Sequence, residues 1–403
     1  MDCLRALLLF ATAFVASSAS LLTGCGSAPI STPQSQAIPT LPATPSSPAP
    51  NPVAAYVFTV DSITLAASEF SLSASGQLQQ TKVSVPFAVP VSTAHAVVYQ
   101  VPKQLGSMQS YTLEADGSLQ AQGVAVSYPV NRSASLASDN ASYVYAVSDK
   151  GIYGFESQIT GLTPIPSAKL TTPQTPCPPQ DLPGCQNMQW LTVSGNVAVL
   201  GENSTIGYGS PNPPQLSTFT RSDGQLTPGQ VIGWTDPYGA ALAPTPDGRF
   251  LYLLDEYNRL LMYDLTTASW GNTPVTGAQG TYFWQIFINP AGSFLFVAEA
   301  PPNPSAFRVF QIDASSGNLT EVTGSPFSTG EGAAMDSATA VTLDPTGHFL
   351  LATFQYCNGK PNCTTPGKLV AMSINQTAGA LTVTSDVQDG VYPAQVTAAV
   401  ISH

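Results

Sequence analysis

From residue 53 onward, turn residues alternate with short apolar runs, and the alternation repeats along the chain. Each repeat opens with small or polar turn residues that lead into branched and aromatic residues at period two. Examples are Thr93-Ala94-His95-Ala96-Val97-Val98-Tyr99, Asn140-Ala141-Ser142-Tyr143-Val144-Tyr145 and Ser194-Gly195-Asn196-Val197-Ala198-Val199. Later copies are Asp247-Gly248-Arg249-Phe250-Leu251-Tyr252, Ala291-Gly292-Ser293-Phe294-Leu295-Phe296 and Thr346-Gly347-His348-Phe349-Leu350-Leu351. A worn copy, Ala54-Ala55-Tyr56-Val57-Phe58, opens the series. A turn ahead of period-two apolar residues is the signature of a β-hairpin.

A second strand-and-turn element follows each of these. Its clearest form is Phe307-Arg308-Val309-Phe310-Gln311-Ile312-Asp313 with Ser316-Gly317-Asn318-Leu319-Thr320. The glycine turn returns at Gly76, Gly117, Gly161, Gly224 and Gly379, and the fifth repeat has Thr266-Thr267-Ala268-Ser269 in its place. Aligned turn positions 95, 142, 196, 249, 293 and 348 lie 44 to 55 residues apart. Four short strands with their turns occupy that much chain, which is one propeller blade. No inner strand precedes Tyr56, whereas Tyr392–Ile401 reads as an inner strand without a blade. The expected fold is therefore all-β: a seven-bladed β-propeller over 53–403, closed by a C-terminal strand that completes the first blade. Such closure removes the sheet edges that would otherwise template aggregation.

Two stretches carry a resemblance. Asp344-Pro345-Thr346-Gly347-His348-Phe349-Leu350-Leu351, and Phe310-Gln311-Ile312-Asp313 with Ser316-Gly317-Asn318-Leu319-Thr320, are similar to the lactonase-type, YVTN-like seven-bladed propellers. That group includes propeller 6-phosphogluconolactonases. The resemblance covers roughly 55–401. It implies the fold and says little about chemistry, because the matching residues form turns and core.

Residues 1–24 have Arg5 near the start, an apolar run from Ala6 to Val15, and then small residues. The run is too short for a permanent membrane span. It ends in Leu22-Thr23-Gly24-Cys25, which resembles the bacterial lipoprotein lipobox. The resemblance implies cleavage before Cys25 and diacylglycerol on its thiol, with two or three acyl chains anchoring the protein to the membrane. Gly26, where an Asp would retain the protein, implies the outer membrane of a diderm envelope. An ordinary secretory leader with an incidental cysteine is the competing reading. Residues 25–52 hold eight prolines among Ser, Thr, Ala and Gln. At about 3.1 Å per residue this tether reaches on the order of 80 Å.

Charge narrows the function classes. Charged residues make up 9% of the chain, the net charge is −12, and the twelve Lys and Arg occur without a basic run. Nucleic acid, which needs clustered cations, is excluded as a partner. Cys177/Cys185 and Cys357/Cys363 form close pairs in Pro- and Gly-rich loops. In an exported chain these read as local disulfides, with free thiols as the alternative. Three histidines and no C-x-x-C disfavour zinc. His95 and His348 stand at hairpin turn positions and His403 ends the chain, so a Ser–His–Asp triad has no support.

The loops between second and third strands, and those between blades, are longer and more varied than the hairpin turns, which places a binding site on their face. Glu202, Asp255 and Glu299 stand six residues past the aligned turn in three consecutive blades. As an arc of carboxylates they could hold a Ca²⁺-like ion or supply the general base for lactone opening. They also read as polar loop residues, because other blades have Val101, Ser148 and Phe354 there. Tyr238, Tyr282, Trp284 and Tyr392 lie at or near inner-strand starts, where they could stack on sugar rings or fill the space between blades. No cofactor is required. Two functions fit: a monomeric tethered module binding a protein, peptide or glycan, or a lactonase acting on a neutral sugar lactone.

Overall fold

A computed structural model describes residues 52–62, 64, 66–82, 90–100, 106–130, 134–148, 150–170, 187–204, 215–233, 241–255, 259–271, 275–276, 282–300, 306–330, 338–356 and 365–401. At several strand positions, Glu202, Tyr282 and Trp284 among them, only the backbone is described. These residues form seven antiparallel sheets and no helix. Blades two, three, four and seven have four strands in simple sequence order. Blades five and six add a short fifth strand, Val275–Thr276 and Phe327–Ser328, on the outer side.

The seven inner strands settle the closure. They are Val91–Ser92, Ala134–Ser138, Asn187–Ser194, Ala241–Pro244, Tyr282–Ile288, Ala338–Leu343 and Pro393–Ala399. Each lies against the next, and Pro393–Ala399 lies against Val91–Ser92, so the cycle is complete. The last of them belongs to blade one. It pairs antiparallel with Val53–Asp61, from Tyr56 opposite Ala399 to Asp61 opposite Pro393. The ring is a seven-bladed propeller sealed by its C-terminal strand, as the repeat count requires.

The core is divided as the ring is. Seven hydrophobic clusters occur among the described residues, each drawn from two neighbouring blades. Alternate residues of a strand face opposite neighbours. Leu350 and Ala352 pack toward blade six, while Phe349 and Leu351 pack toward blade one. A fully two-sided strand such as Phe349–Phe354 is therefore buried throughout and apolar at every position but Thr353.

The turns show how one repeat is fastened to the next. In blades three, five, six and seven a short polar residue heads the inner hairpin and accepts backbone N–H groups across it. Asp139 Oδ1 takes the N–H of Ala141, Ser142 and Tyr143, each at 2.9 Å. Thr245, Asn289 and Asp344 take those of Phe250, Phe294 and Phe349 at 3.0, 2.9 and 2.6 Å. The residue so fixed is aromatic, and its ring covers the turn glycine of the following blade. A Cβ on Gly317 would stand 2.7 Å from the Phe250 ring, one on Gly379 the same distance from Phe294, and one on Gly224 2.6 Å from Tyr143. Gly76 meets Phe349, and Gly117 meets Tyr56, in the same way.

This pairing explains the exception at the fifth repeat. Ala268 adopts the left-handed conformation of the turn glycines, with φ 54°. The preceding blade has Val197, not an aromatic residue, at the covering position. Its smaller side chain relaxes the demand for glycine. Arg221 adds a polar tie between blades three and four, pairing with Asp139 at 2.7 Å.

Substitution at these turns should separate the two cases. Gly317→Ala places a Cβ against Phe250 at φ +72° and is expected to cost about 2–4 kcal/mol in urea unfolding. Ala268→Gly should stay within about 1 kcal/mol of wild type, because relief of the left-handed strain offsets the added unfolded-state freedom.

Candidate functional site

The face where the second strands end is the face reached by the variable loops. Ser148, Glu202, Asp255, Glu299 and Phe354 occupy one register position there, blade one supplies Asp61, and Val101 lies outside the described residues. Asp61 is the member that sequence alignment passes over, because the first repeat matches the others only through its strand. In three blades the side chain at this position caps the end of the strand. Asp61 Oδ1 accepts Thr64 N–H at 2.6 Å, Ser148 Oγ accepts Lys150 N–H at 3.0 Å, and Asp255 Oδ1 accepts Arg259 N–H at 2.7 Å.

The proposed acidic arc is placed as follows. Glu202 lies in the second strand of blade four, Val197–Ser204, opposite Gln189 and Gln215. Asp255 directly follows Phe250–Leu254 and is 4% exposed. Its Oδ2 is bound by the Arg259 guanidinium at 2.6 Å. Glu299, in Phe294–Ala300, is 2% exposed and pairs with Arg308 Nε at 2.5 Å. Arg308 also reaches Glu321 at 3.2 Å, and Ser325 Oγ donates to Glu321 at 2.8 Å. Each of these two carboxylates is thus held by an arginine of its own blade. Sequence spacing gave no sign of Arg308, which enters from the third strand, Ala306–Ile312. Among the described residues no group of three or more His, Cys, Asp or Glu is placed to hold a metal ion.

Of the aromatic candidates, Tyr392 is half-buried just ahead of the closing strand, with its N–H on Asp61 Oδ2 at 2.5 Å and its carbonyl oxygen accepting Ser62 N–H at 2.9 Å. Tyr282 and Trp284 lie in the inner strand of blade six, with side chains outside the described set, and Tyr238 lies wholly outside it. So do Cys25, Cys177, Cys185, Cys357 and Cys363. His348 is an exposed turn residue, as its position suggests, with Nδ1 2.8 Å from Thr346 Oγ1. His95 departs from that pattern: it is half-buried, and its Nδ1 has no partner.

The ring around the axis has a distinct chemical character. None of the seven inner strands contains a charged residue or a histidine. Their polar groups are hydroxyls and amides, including Ser92, Ser138, Thr192, Gln285, Thr339, Gln395 and Thr397. Gln285 Oε1 is buried without a partner, as is Oε1 of Gln355 just beyond the second strand of blade seven. Neutral donors and acceptors of this kind can match alcohol and carbonyl groups, and they offer no counter-charge to an ion.

Glu69, away from this face, is the other unusual acid. It is 1% exposed on Ala67–Ser73 of blade one, beside Gly117 of blade two, and its Oε1 accepts the Thr81 hydroxyl at 2.8 Å. Burial, with the Asp116 charge adding to it, pushes the carboxyl up to about 7.

No protein-family model matches this chain, and no curated protein sequence matches it. Solved structures do resemble it in fold. A Lactobacillus plantarum protein superimposes with TM-score 0.59 at 16% identity, over 86% of this chain and 99% of its own. A candidate 6-phosphogluconolactonase from Bacteroides uniformis gives 0.58 at 15%, and the periplasmic gluconolactonase of Pseudomonas aeruginosa gives 0.56 at 14%, with the same coverage. Two of these three structures are named as lactonases, and at these identities the likeness is one of fold.

Two measurements probe the buried acids. Glu299→Gln leaves Arg308 with Glu321 alone and should destabilise by about 2–4 kcal/mol, whereas Glu321→Gln, at the more exposed end of the network, should cost under about 1 kcal/mol. Urea unfolding of both variants checks the order. For Glu69 the folded value lies above the unfolded one, so its favourable contribution is present below about pH 4.5 and lost as pH rises through about 7. Glu69→Gln should therefore raise the melting temperature at pH 8 by roughly 2–4 °C and change it little at pH 4.

Proposed function

We propose that this propeller binds a neutral, polyhydroxylated ligand, a glycan or a sugar lactone, on the face where the second strands end. The observation that carries the reading is the uncharged inner ring, with the unpartnered carbonyl oxygen of Gln285 on it and that of Gln355 at the end of the second strand of blade seven. Buried amide oxygens without partners are rare in stable proteins, and a hydroxylated ligand would satisfy them. A phosphorylated ligand fits poorly. On that face Arg259, Arg308 and Lys368 are engaged by Asp255, Glu299 and Asp386.

The module is held at the outer membrane through lipid on Cys25 and the tether of residues 25–52, with Cys177–Cys185 and Cys357–Cys363 disulfides bracing its loops. This follows from the leader and the cysteine spacing. A protein or peptide ligand on the same face belongs to the same reading.

Lactone hydrolysis is the second reading, and the two neighbours named as lactonases favour it. It needs one carboxylate to activate water. The arc of Glu202, Asp255 and Glu299 is where that base, or a Ca²⁺-like ion, would be sought.

A glycan array and calorimetry with glucono-1,5-lactone and 6-phosphogluconate test the binding reading. Neutral compounds should be retained and 6-phosphogluconate should not; failure of every neutral glycan and lactone to bind would sink it. Release of gluconate above the spontaneous rate by wild type, lost in Glu299→Gln and tested with and without Ca²⁺, decides for the enzyme. Incorporation of labelled palmitate that disappears in Cys25→Ala tests the anchor.

A further inference from the structure

Blade one is assembled from both ends of the propeller, and two buried aspartates meet at the join. Asp61 ends the second strand of that blade and is 4% exposed. Its Oδ2 accepts the backbone N–H groups of Val391 and Tyr392, and its Oδ1 accepts that of Thr64. These bonds fix the three-residue connector that leads into the closing strand. Asp389 lies on the other side of the connector, as the last residue of the outer strand of blade seven, Leu381–Asp389, and is 3% exposed. Its carboxylate takes hydroxyl hydrogen bonds from Thr59 and Ser68 of blade one, and its Oδ2 is buried without a partner.

Among the described residues no positive charge compensates Asp389. Asp61 is the charged group that acts on it. Lys368, on the neighbouring strand of blade seven, is bound to Asp386 at 2.8 Å. Glu69, adjacent to Ser68, turns to the blade-two side against Tyr56 and Gly117. Tyr392 contributes its backbone N–H to Asp61. Two carboxylates therefore face one join, one supplied with three N–H donors and the other with an oxygen that nothing satisfies. Protonation of that oxygen removes the like-charge repulsion between them.

We propose that Asp389 and Asp61 form a proton-operated latch on ring closure. With Asp389 protonated, the closing strand is held on blade one. With Asp389 ionised, two buried negative charges oppose each other across the connector, and the strand opens more readily. The effect is local because Asp389 is covalently next to the one segment on which closure depends.

The pH window follows from the two groups. Burial first, and the Asp61 charge with it, push the Asp389 carboxyl up to about 6. A raised carboxyl contributes fully below its unfolded value near about 3.9 and is lost as pH rises through the folded value. Asp61 is buried too, yet the N–H groups of Thr64, Tyr392 and Val391 hold it below its ordinary value. Its contribution has the opposite sign, present above about pH 4 and lost in stronger acid. Closure is tightest in mild acid.

Hydrogen–deuterium exchange of the full chain at pH 5 and pH 8, corrected for intrinsic exchange rates, tests the latch. Peptides over 390–401 and 53–61 should lose protection by roughly tenfold or more between the two pH values, while the second strands of blades four and five hold theirs. Asp389→Asn should keep the pH 5 protection at both values, and Asp61→Asn should lack it at both. Equal wild-type protection of residues 390–401 at pH 5 and pH 8 overturns the latch, as does an Asp389→Asn variant with wild-type pH dependence. The wild-type comparison stands without any variant, and neither measurement involves ligand or turnover.

Discussion

The ladder between Pro393–Ala399 and Val53–Asp61 is the interaction on which the molecule rests. Without it blade one is a three-stranded sheet, its second strand becomes an open edge, and the inner ring has a gap between Ala338–Leu343 and Val91–Ser92. Every other blade is continuous in sequence and forms from local hairpins. This one pairs residues more than three hundred positions apart. Long-range pairing of that kind carries a large loop-closure entropy. The structure strengthens the join with Asp61 bonds to the connector, Thr384 Oγ1 donating to Gly76 O at 2.9 Å, and a shared apolar cluster between blades seven and one.

Contact between neighbouring blades follows a single rule with a legible exception. An aromatic residue near the head of a second strand lies over the turn glycine of the next blade in five of the seven gaps, and in four of them it is capped. Where Val197 replaces the aromatic residue, Ala268 replaces the glycine. Where Ala96 stands in blade two, the following turn packs backbone on backbone, with a Cβ on Gly161 lying 3.5 Å from Gly123 Cα. The irregular repeats are matched pairs across an interface rather than decay of a motif. A single-repeat view misses this because the two partners lie more than one repeat apart.

Burial of acids takes three forms here. Asp255 and Glu299 are neutralised by arginines of their own blade, and Asp61 by backbone N–H groups. Asp389 and Glu69 have hydroxyl partners and one unsatisfied oxygen each, and burial pushes their carboxyls up to about 6 and about 7. The charge-free inner ring stands apart from all of these. Ionic chemistry therefore lies around the periphery of the described mouth, and neutral hydrogen-bonding chemistry lies at its axis.

The sequence by itself determined the blade count, the position of each described second strand, and the strand exchange at the ends. Turn residues and period-two apolar runs are local signals, and a closed ring of such units leaves little topological choice. It also placed Glu202, Asp255 and Glu299 in one register, since register depends only on counting from a turn. Tertiary structure decided what those carboxylates do. Arg308 enters from a neighbouring strand, and Asp389 reaches blade one from blade seven. Partners brought together by pairing and closure leave no spacing in the chain, and the charge state of a buried group is set by those partners.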